Sequence, residues 1–221
     1  MKIVAVVPAY NEVSAIGRVI NELGDVVDLV MVVDDGSSDS TGEVATRAGA
    51  LVVRHFLNRG QGAALQTGIE AAIDAGADII VTFDADGQFV ASDVPKVIEP
   101  LLLSRADIVF GSRFLQANEI PAPRRFILRA AALITWLYTG VKLSDVHNGF
   151  RAFSRLTAEA ITISQQRMAH ASEFVEQVAK HELRYEEVPV TVRYTEYSLR
   201  KGQRVTSSLR IIWDLFFSRL K

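Results

Sequence analysis

The sequence predicts an α/β domain with a mostly parallel, doubly wound sheet and helices on both faces. Two observations carry this expectation: short Val- and Ile-rich runs alternate with stretches of helical periodicity, and polar clusters follow several of those runs directly. Ile3–Val7, Leu29–Val33, Leu51–Arg54 and Ile79–Phe83 read as strands, because continuous β-branched runs suit strands covered on both faces. Ser14–Leu23, Thr41–Ala48 and Gly62–Ala75 repeat apolar residues at helical spacing, several of them with Ser, Thr or Asn near the start. The order β-α-β-α-β-α-β implies right-handed crossovers, and ligands of such sheets bind outside the carboxyl ends of the strands. After Asp107–Phe110, another strand, the pattern becomes mixed, with strands expected near Gly149–Phe153 and Glu187–Arg193 and helices between them. No internal repeat, low-complexity tract or interdomain linker interrupts residues 1–221, which read as a single domain.

Composition narrows the function classes. The chain has 221 residues, 49% of them apolar, enough for one sizeable core. Its net charge of −2 hides an asymmetry: residues 1–99 carry 6 Lys/Arg against 15 Asp/Glu, residues 193–221 carry 7 against 2. An acidic front half suits a cation, and a basic tail suits phosphates or an anionic lipid surface. Basic residues are not interleaved with aromatic ones, which argues against a nucleic-acid partner. The absence of cysteine removes disulfides, thiolate nucleophiles and the usual zinc ligands, and is compatible with a reducing compartment. The apolar start, Ile3–Val7 followed by Pro8, reads as a buried strand and not as a leader. A membrane-spanning helix needs about 20 apolar residues, and the longest run, Ala130–Tyr138, falls well short.

Three polar clusters fall at strand ends: Pro8-Ala9-Tyr10-Asn11-Glu12, Asp34-Asp35-Gly36-Ser37-Ser38-Asp39 and Asp84-Ala85-Asp86-Gly87-Gln88. Two carboxylates one residue apart on a turn, Asp84 and Asp86, can both reach one divalent ion, and Gln88 adds a neutral oxygen. Mg²⁺ or Mn²⁺ suits so sparse a set, since such ions keep waters and take oxygens from a substrate's phosphates. Asp and Gly are also ordinary turn residues, so each cluster alone could be a solvated turn. Their convergence at one end of the sheet favours a site.

Together, Val7-Pro8-Ala9-Tyr10-Asn11-Glu12, Val33-Asp34-Asp35-Gly36-Ser37, Gly60-Gln61-Gly62-Ala63, Asp84-Ala85-Asp86-Gly87-Gln88 and Gly111-Ser112-Arg113 resemble family 2 glycosyltransferases of the GT-A fold, most nearly dolichyl- and polyprenyl-phosphate sugar synthases. The resemblance implies a GDP- or UDP-sugar donor bound by residues 1–110, an acceptor-side half over 111–200, and a basic amphipathic helix over 201–221. Pro8, Tyr10, Asn11, Glu12, Asp34, Asp35, Ser37 and Ala85 would line the nucleotide-sugar, Asp35 accepting from the base and Asp34 supporting its turn. Asp84 and Asp86 would act at the sugar and diphosphate, with Asp84, Asp86 and Gln88 as metal ligands. Arg113 would face phosphate, and Arg125 would supply a second phosphate-facing guanidinium. The glycines around Gln61 would let their loop approach the donor.

On the acceptor side, Asp145-Val146-His147-Asn148-Gly149-Phe150-Arg151 resembles the family's segment in which an acidic residue precedes Gly-Phe-Arg. Asp145 would serve as a general base only if a sugar hydroxyl attacks, because a lipid phosphate is already ionised. The tail departs from the family's arginine followed by Gly-x-Ser-Lys, and leaves Arg193 and Lys201 as phosphate candidates. Val205–Lys221 and Arg124–Tyr138 each read either as a helix docked on the domain or as one resting on an anionic membrane. The expected protein is thus a metal-dependent inverting hexosyltransferase acting on a polyprenyl phosphate. It would be cytoplasmic, in peripheral contact with the membrane or with a membrane protein. The alternatives are a glycan-hydroxyl acceptor in polysaccharide or cell-wall synthesis, a nucleotidyltransferase, and a non-catalytic nucleotide-sugar-binding subunit.

Overall fold

The computed structural model describes residues 1–116, 120, 122–164 and 170–193. The strands are β1 (Ile3–Ala9), β2 (Leu29–Asp34), β3 (Leu51–Arg54), β4 (Ile79–Thr82), β5 (Ile108–Ser112), β6 (Arg151–Ser154) and β7 (Tyr185–Pro189). The helices are α1 (Ile16–Gly24), α2 (Thr41–Arg47), α3 (Gln61–Asp74), α4 (Val94–Leu102), α5 (Ala122–Thr139), α6 (Arg155–Ala160) and α7 (His170–Lys180). Lys201 and the expected helix at Val205–Lys221 lie outside the described residues.

All seven strands join one sheet in the order β3-β2-β1-β4-β6-β5-β7. The β-α alternation of the first half gives parallel pairing of β3, β2, β1 and β4. Side-chain alternation divides the core between the two faces. Ala5, Val7, Val32 and Val81 pack with Ile16, Val19 and Leu23 of α1 and Val94 and Val97 of α4 on one face. Val4, Val6, Met31 and Ile80 pack with Leu65 and Ile69 of α3 and Phe174 and Val175 of α7 on the other. Gly68 marks how closely α3 approaches: a Cβ there would lie 3.0 Å from the Val33 side chain and would collide outright with Val6.

Sequence reasoning did not anticipate the orientation of β6, which runs antiparallel to both β4 and β5. Its beginning therefore lies at the same edge as the ends of β1, β2, β4 and β5, and this brings residues 145–150 to the polar rim. The pairing Thr82↔Arg151 fixes the register, and the Thr82 hydroxyl donates to the Gly149 carbonyl at 2.7 Å. β7 starts two residues earlier than its composition suggests and ends four earlier, because its pairing with β5 runs from Ile108↔Tyr185 to Ser112↔Pro189. Val192 instead forms an isolated bridge to Phe89. α1 starts at Ile16 and not Ser14, since the Glu12 carbonyl accepts from the amides of Ala15 and Ile16 and closes a turn first.

Candidate active site

The turns after β1 and β2 are laced together. The Asn11 amide donates to Ser37 Oγ at 3.0 Å, and Asn11 Oδ1 accepts from the Ser38 amide at 2.9 Å. Asn11 adopts a left-handed conformation with φ of 53°, which asparagine tolerates better than most residues. Asp34 is fully buried; its Oδ1 caps the turn through the Ser37 amide at 2.9 Å, and its Oδ2 lies 3.4 Å from Arg54 Nε. Pro8 lies buried in β1 opposite Val33, and Tyr10 projects into solvent at 45% exposure.

Asp35, expected to accept from a base, is buried and already holds protein donors. Its Oδ1 faces His55 Nδ1 at 2.7 Å and accepts from the Arg59 amide at 2.9 Å, and its Oδ2 accepts from the Gly60 amide at 2.7 Å. These bonds pin the loop that ends at α3, whose first residue, Gln61, donates its side-chain amide to Asp84 Oδ1 at 3.1 Å. Gln61 is a site residue that sequence reasoning passed over, since the flanking glycines drew attention to backbone approach and not to the side chain between them.

The structure gathers the acidic turn after β4. Asp86 Oδ1 accepts from the Gln88 amide at 2.9 Å, and Asp86 Oδ2 also accepts from the Gln88 side chain. Ala85 is buried between the two carboxylates. The Asp84 carboxyl is pushed up to about 7, first by burial and then by the negative charge of Asp86; Arg151 and Arg113 oppose the rise, and Glu12 adds to it. Among the described residues no three His, Cys, Asp or Glu side chains converge as a metal cluster. The donor set is two carboxylates and an amide, and the mutual repulsion registered at Asp84 is what a divalent cation would relieve. These residues therefore fit a Mg²⁺ or Mn²⁺ ion that completes its shell with diphosphate oxygens.

Gly149 closes the site from the β6 side. A Cβ at this position would lie 2.6 Å from Asp84 Oδ1 and 2.8 Å from its carboxyl carbon, so only glycine leaves room for the carboxylate. Gly149→Ala is expected to push Asp84 aside and lower turnover roughly tenfold to a hundredfold, the cost of a misplacement of about 1 Å. The check is kcat alongside the melting temperature, which should move little because the strain falls on a rim side chain.

Arg113 and Asp145, expected to face phosphate and acceptor, meet each other. Arg113 Nε donates to Asp145 Oδ2 at 2.6 Å, the Arg113 amide adds a bond at 3.1 Å, and Arg113 Nη2 reaches the His147 carbonyl at 3.3 Å. Arg113 is 5% exposed and Asp145 1% exposed, and a charge so buried requires an opposite partner. Glu187 on β7 anchors this turn by accepting from the Ser144 and Asp145 amides. Beneath it lies Arg151, which the sequence offered only as the end of the Gly-Phe-Arg segment, with no role of its own. It is fully buried, stacks over Phe174 at 4.5 Å, and donates to the Val146 carbonyl at 3.3 Å. A charged residue set among Phe150, Ala152 and Phe153 was its available signal. Arg193 reaches the rim through its backbone, which donates to the Gln88 carbonyl at 2.7 Å, while its side chain lies 3.7 Å from Glu22 on α1. Arg125 is exposed on α5 and donates to the Ile120 carbonyl at 3.4 Å.

His147 supplies a pH prediction. Burial, chiefly, pushes its imidazole down to about 4, against an opposing pull from Asp145. The unfolded chain therefore binds the proton first, and this contribution to stability is present above about 6.5 and lost as pH falls toward 4. Asp84, raised to about 7, acts in the opposite sense, favouring the folded state at the acid end of nearly the same range. The wild-type curve thus partly cancels, and the variant must be compared with it directly. His147→Asn is expected to lose on the order of 1–3 kcal/mol less stability than wild type between pH 7 and 4.5, measured by urea denaturation in EDTA.

The strand order and the acidic turn at the strand ends define a class: this is a GT-A glycosyltransferase fold. Glucosyl-3-phosphoglycerate synthase from Mycobacterium tuberculosis, solved with Mn²⁺, UDP and phosphoglyceric acid, shares it with a TM-score of 0.72 at 20% identity, covering 96% of this chain and 78% of that one. The chain belongs to glycosyl transferase family 2, whose family model matches residues 4–161. An uncharacterised protein of Methanocaldococcus jannaschii is 40% identical over 99% of this chain and 93% of its own. UDP-N-acetylglucosamine–dolichyl-phosphate N-acetylglucosaminyltransferase of Methanococcus voltae is 32% identical over 97% of this chain and 95% of its own. Undecaprenyl-phosphate mannosyltransferase of Micrococcus luteus is 33% identical over 74% and 70%, respectively.

Proposed function

We propose that this glycosyltransferase moves a hexose or N-acetylhexosamine from a UDP- or GDP-sugar to a polyprenyl phosphate of the dolichyl type, with inversion, in one in-line displacement. The observation that carries the acceptor reading is the burial of Asp145 in a pair with Arg113. A sugar hydroxyl needs a base to remove its proton, and the candidate base is enclosed at 1% exposure with a guanidinium on it. A phosphate needs none. The names of the Methanococcus voltae and Micrococcus luteus relatives point to the same acceptor class.

Asp84, Asp86 and Gln88 would hold Mg²⁺ or Mn²⁺, which supplies Lewis-acid neutralisation of charge on the departing diphosphate when bound. Gln61 and Gly149 fix Asp84 beside the sugar, Glu12 keeps the rim acidic, and Tyr10 offers a ring to the nucleotide.

No described helix is long and apolar enough to cross a membrane. α5, however, is turned inside out for a helix in water. Ala131, Ala132 and Thr135 face the protein, while Phe126 (76% exposed), Leu137 (74%), Leu133 and Trp136 face outward, with Arg125 and Arg129 also exposed. α5 connects the Arg113 turn to the Asp145 turn, so an anionic bilayer covering it would bring lipid to the acceptor side. Phe126→Glu/Leu137→Glu is expected to cut co-sedimentation with phosphatidylglycerol-containing vesicles by more than about tenfold without changing nucleotide binding.

The function is tested by incubating the protein and Mn²⁺ with labelled UDP- and GDP-sugars, in the presence of either polyprenyl phosphate or free glycans. Label in the lipid together with release of nucleoside diphosphate is the expected result. Label in glycans alone overturns the acceptor, and release of pyrophosphate overturns the reaction class.

A further inference from the structure

His55 has so far appeared only as a partner of Asp35, yet both of its ring nitrogens are engaged. It follows β3, is 7% exposed, and is held at both ring nitrogens: Nδ1 lies 2.7 Å from Asp35 Oδ1 and Nε2 lies 3.0 Å from Thr67 Oγ1 on α3. An ionised carboxylate can only accept, so Nδ1 carries the proton and the ring orientation is set by Thr67 behind it. The backbone on either side is equally fixed. The His55 amide donates to the Asp34 carbonyl at 2.9 Å. Gly36, with φ of 73°, lies so close to the loop that a Cβ would sit 2.7 Å from the Asn58 nitrogen.

Three donors thus hold Asp35: His55 and the Arg59 amide on Oδ1, and the Gly60 amide on Oδ2. A carboxylate offers about four acceptor sites, so the described partners leave one, on Oδ2. That vacancy is acceptor-only, and it matches a base presenting a ring N–H, as uracil and guanine do. Cytosine presents an unprotonated ring nitrogen at the corresponding position and would meet the carboxylate lone pair to lone pair.

We propose that His55, braced by Thr67, is a positioning residue that fixes Asp35 as an acceptor and thereby selects donors whose base carries a ring N–H. The proposal rests on the donor reading given above and on the implication of the family resemblance that Asp35 accepts from the base. It does not make His55 a catalytic residue, because the imidazole touches Asp35 and Thr67 and would reach the nucleotide only through Asp35.

The test is calorimetric titration of UDP, GDP and CDP, each with Mn²⁺, into the wild-type protein, His55→Phe and Thr67→Val. Wild type is expected to bind UDP or GDP at least about tenfold more tightly than CDP, the margin of one charge-assisted hydrogen bond. His55→Phe is expected to weaken the preferred nucleotide by about tenfold or more and CDP by less than about threefold, so that the preference collapses. Thr67→Val is expected to shift the ratio the same way by about threefold, with its melting temperature within a few degrees of wild type. A merely structural histidine would weaken all three nucleotides alike, and that outcome overturns the proposal, as does an unchanged ratio in both variants. Should His55→Phe fail to fold, the ratio in Thr67→Val decides alone. If wild type binds none of the three, the donor reading itself falls; if it binds them without preference, only the role of His55 falls.

Discussion

Asp86→Ala is expected to lower Mn²⁺-supported turnover by about a hundredfold to a thousandfold, the range found when a group that stabilises transition-state charge is removed. The fold should survive. Asp86 is only half-buried, and among the described residues its hydrogen bonds go to Gln88 in the same turn. The variant should also lose part of the repulsion that raises the Asp84 carboxyl. Nucleoside diphosphate release at saturating donor and graded Mn²⁺ measures the first effect, and the melting temperature checks the second point. Normal turnover in this variant would remove the metal from the mechanism while leaving the fold intact.

The largest stability effect is expected at Asp145. Asp145→Ala leaves the 5%-exposed Arg113 guanidinium without its carboxylate, and stripping one partner from a buried pair costs about 3–5 kcal/mol. Against a total of about 5–15 kcal/mol for a domain, this approaches unfolding at room temperature. Replacing both members, as Arg113→Met/Asp145→Leu, is expected to recover much of the loss, because the penalty arises from the orphaned charge and not from the absent attraction. Urea denaturation of the three proteins separates these cases. A loss below about 1 kcal/mol for Asp145→Ala would mean that the guanidinium finds water or another partner, and that the pair is looser than its 2.6 Å contact suggests.

The first half of the fold was legible because its signals are local. Strands β1 to β4 are continuous apolar runs, and the helices between them repeat at helical spacing, so alternation alone implied parallel pairing. The second half was not, because the direction of β6 is decided by long-range register: nothing within Arg151–Ser154 says that it will enter between β4 and β5 in reverse. The acidic turn was readable as a cluster; in the structure Asp86 bonds Gln88, and its charge raises the Asp84 carboxyl. Their supporting residues were hidden for a different reason. Gln61, His55 and Arg151 acquire meaning only through partners 23, 20 and 5 positions away in sequence. Arg113 was legible as a phosphate-facing charge and Asp145 as an acceptor-side one, but not as partners of each other. Chemistry shows which groups carry charge, whereas folding decides which charges meet.

The reversed strand has one more implication. Because residues 113–150 leave the sheet at the end of β5 and return to it at the start of β6, both ends of this excursion open on the same edge. α5 lies within that excursion, so its exposed face can change without altering which backbone pairs with which in the sheet. On the acceptor reading proposed above, exchanging that exposed face between relatives should change how the acceptor is met, while the strand-end turn that carries Asp84 and Asp86 stays as it is.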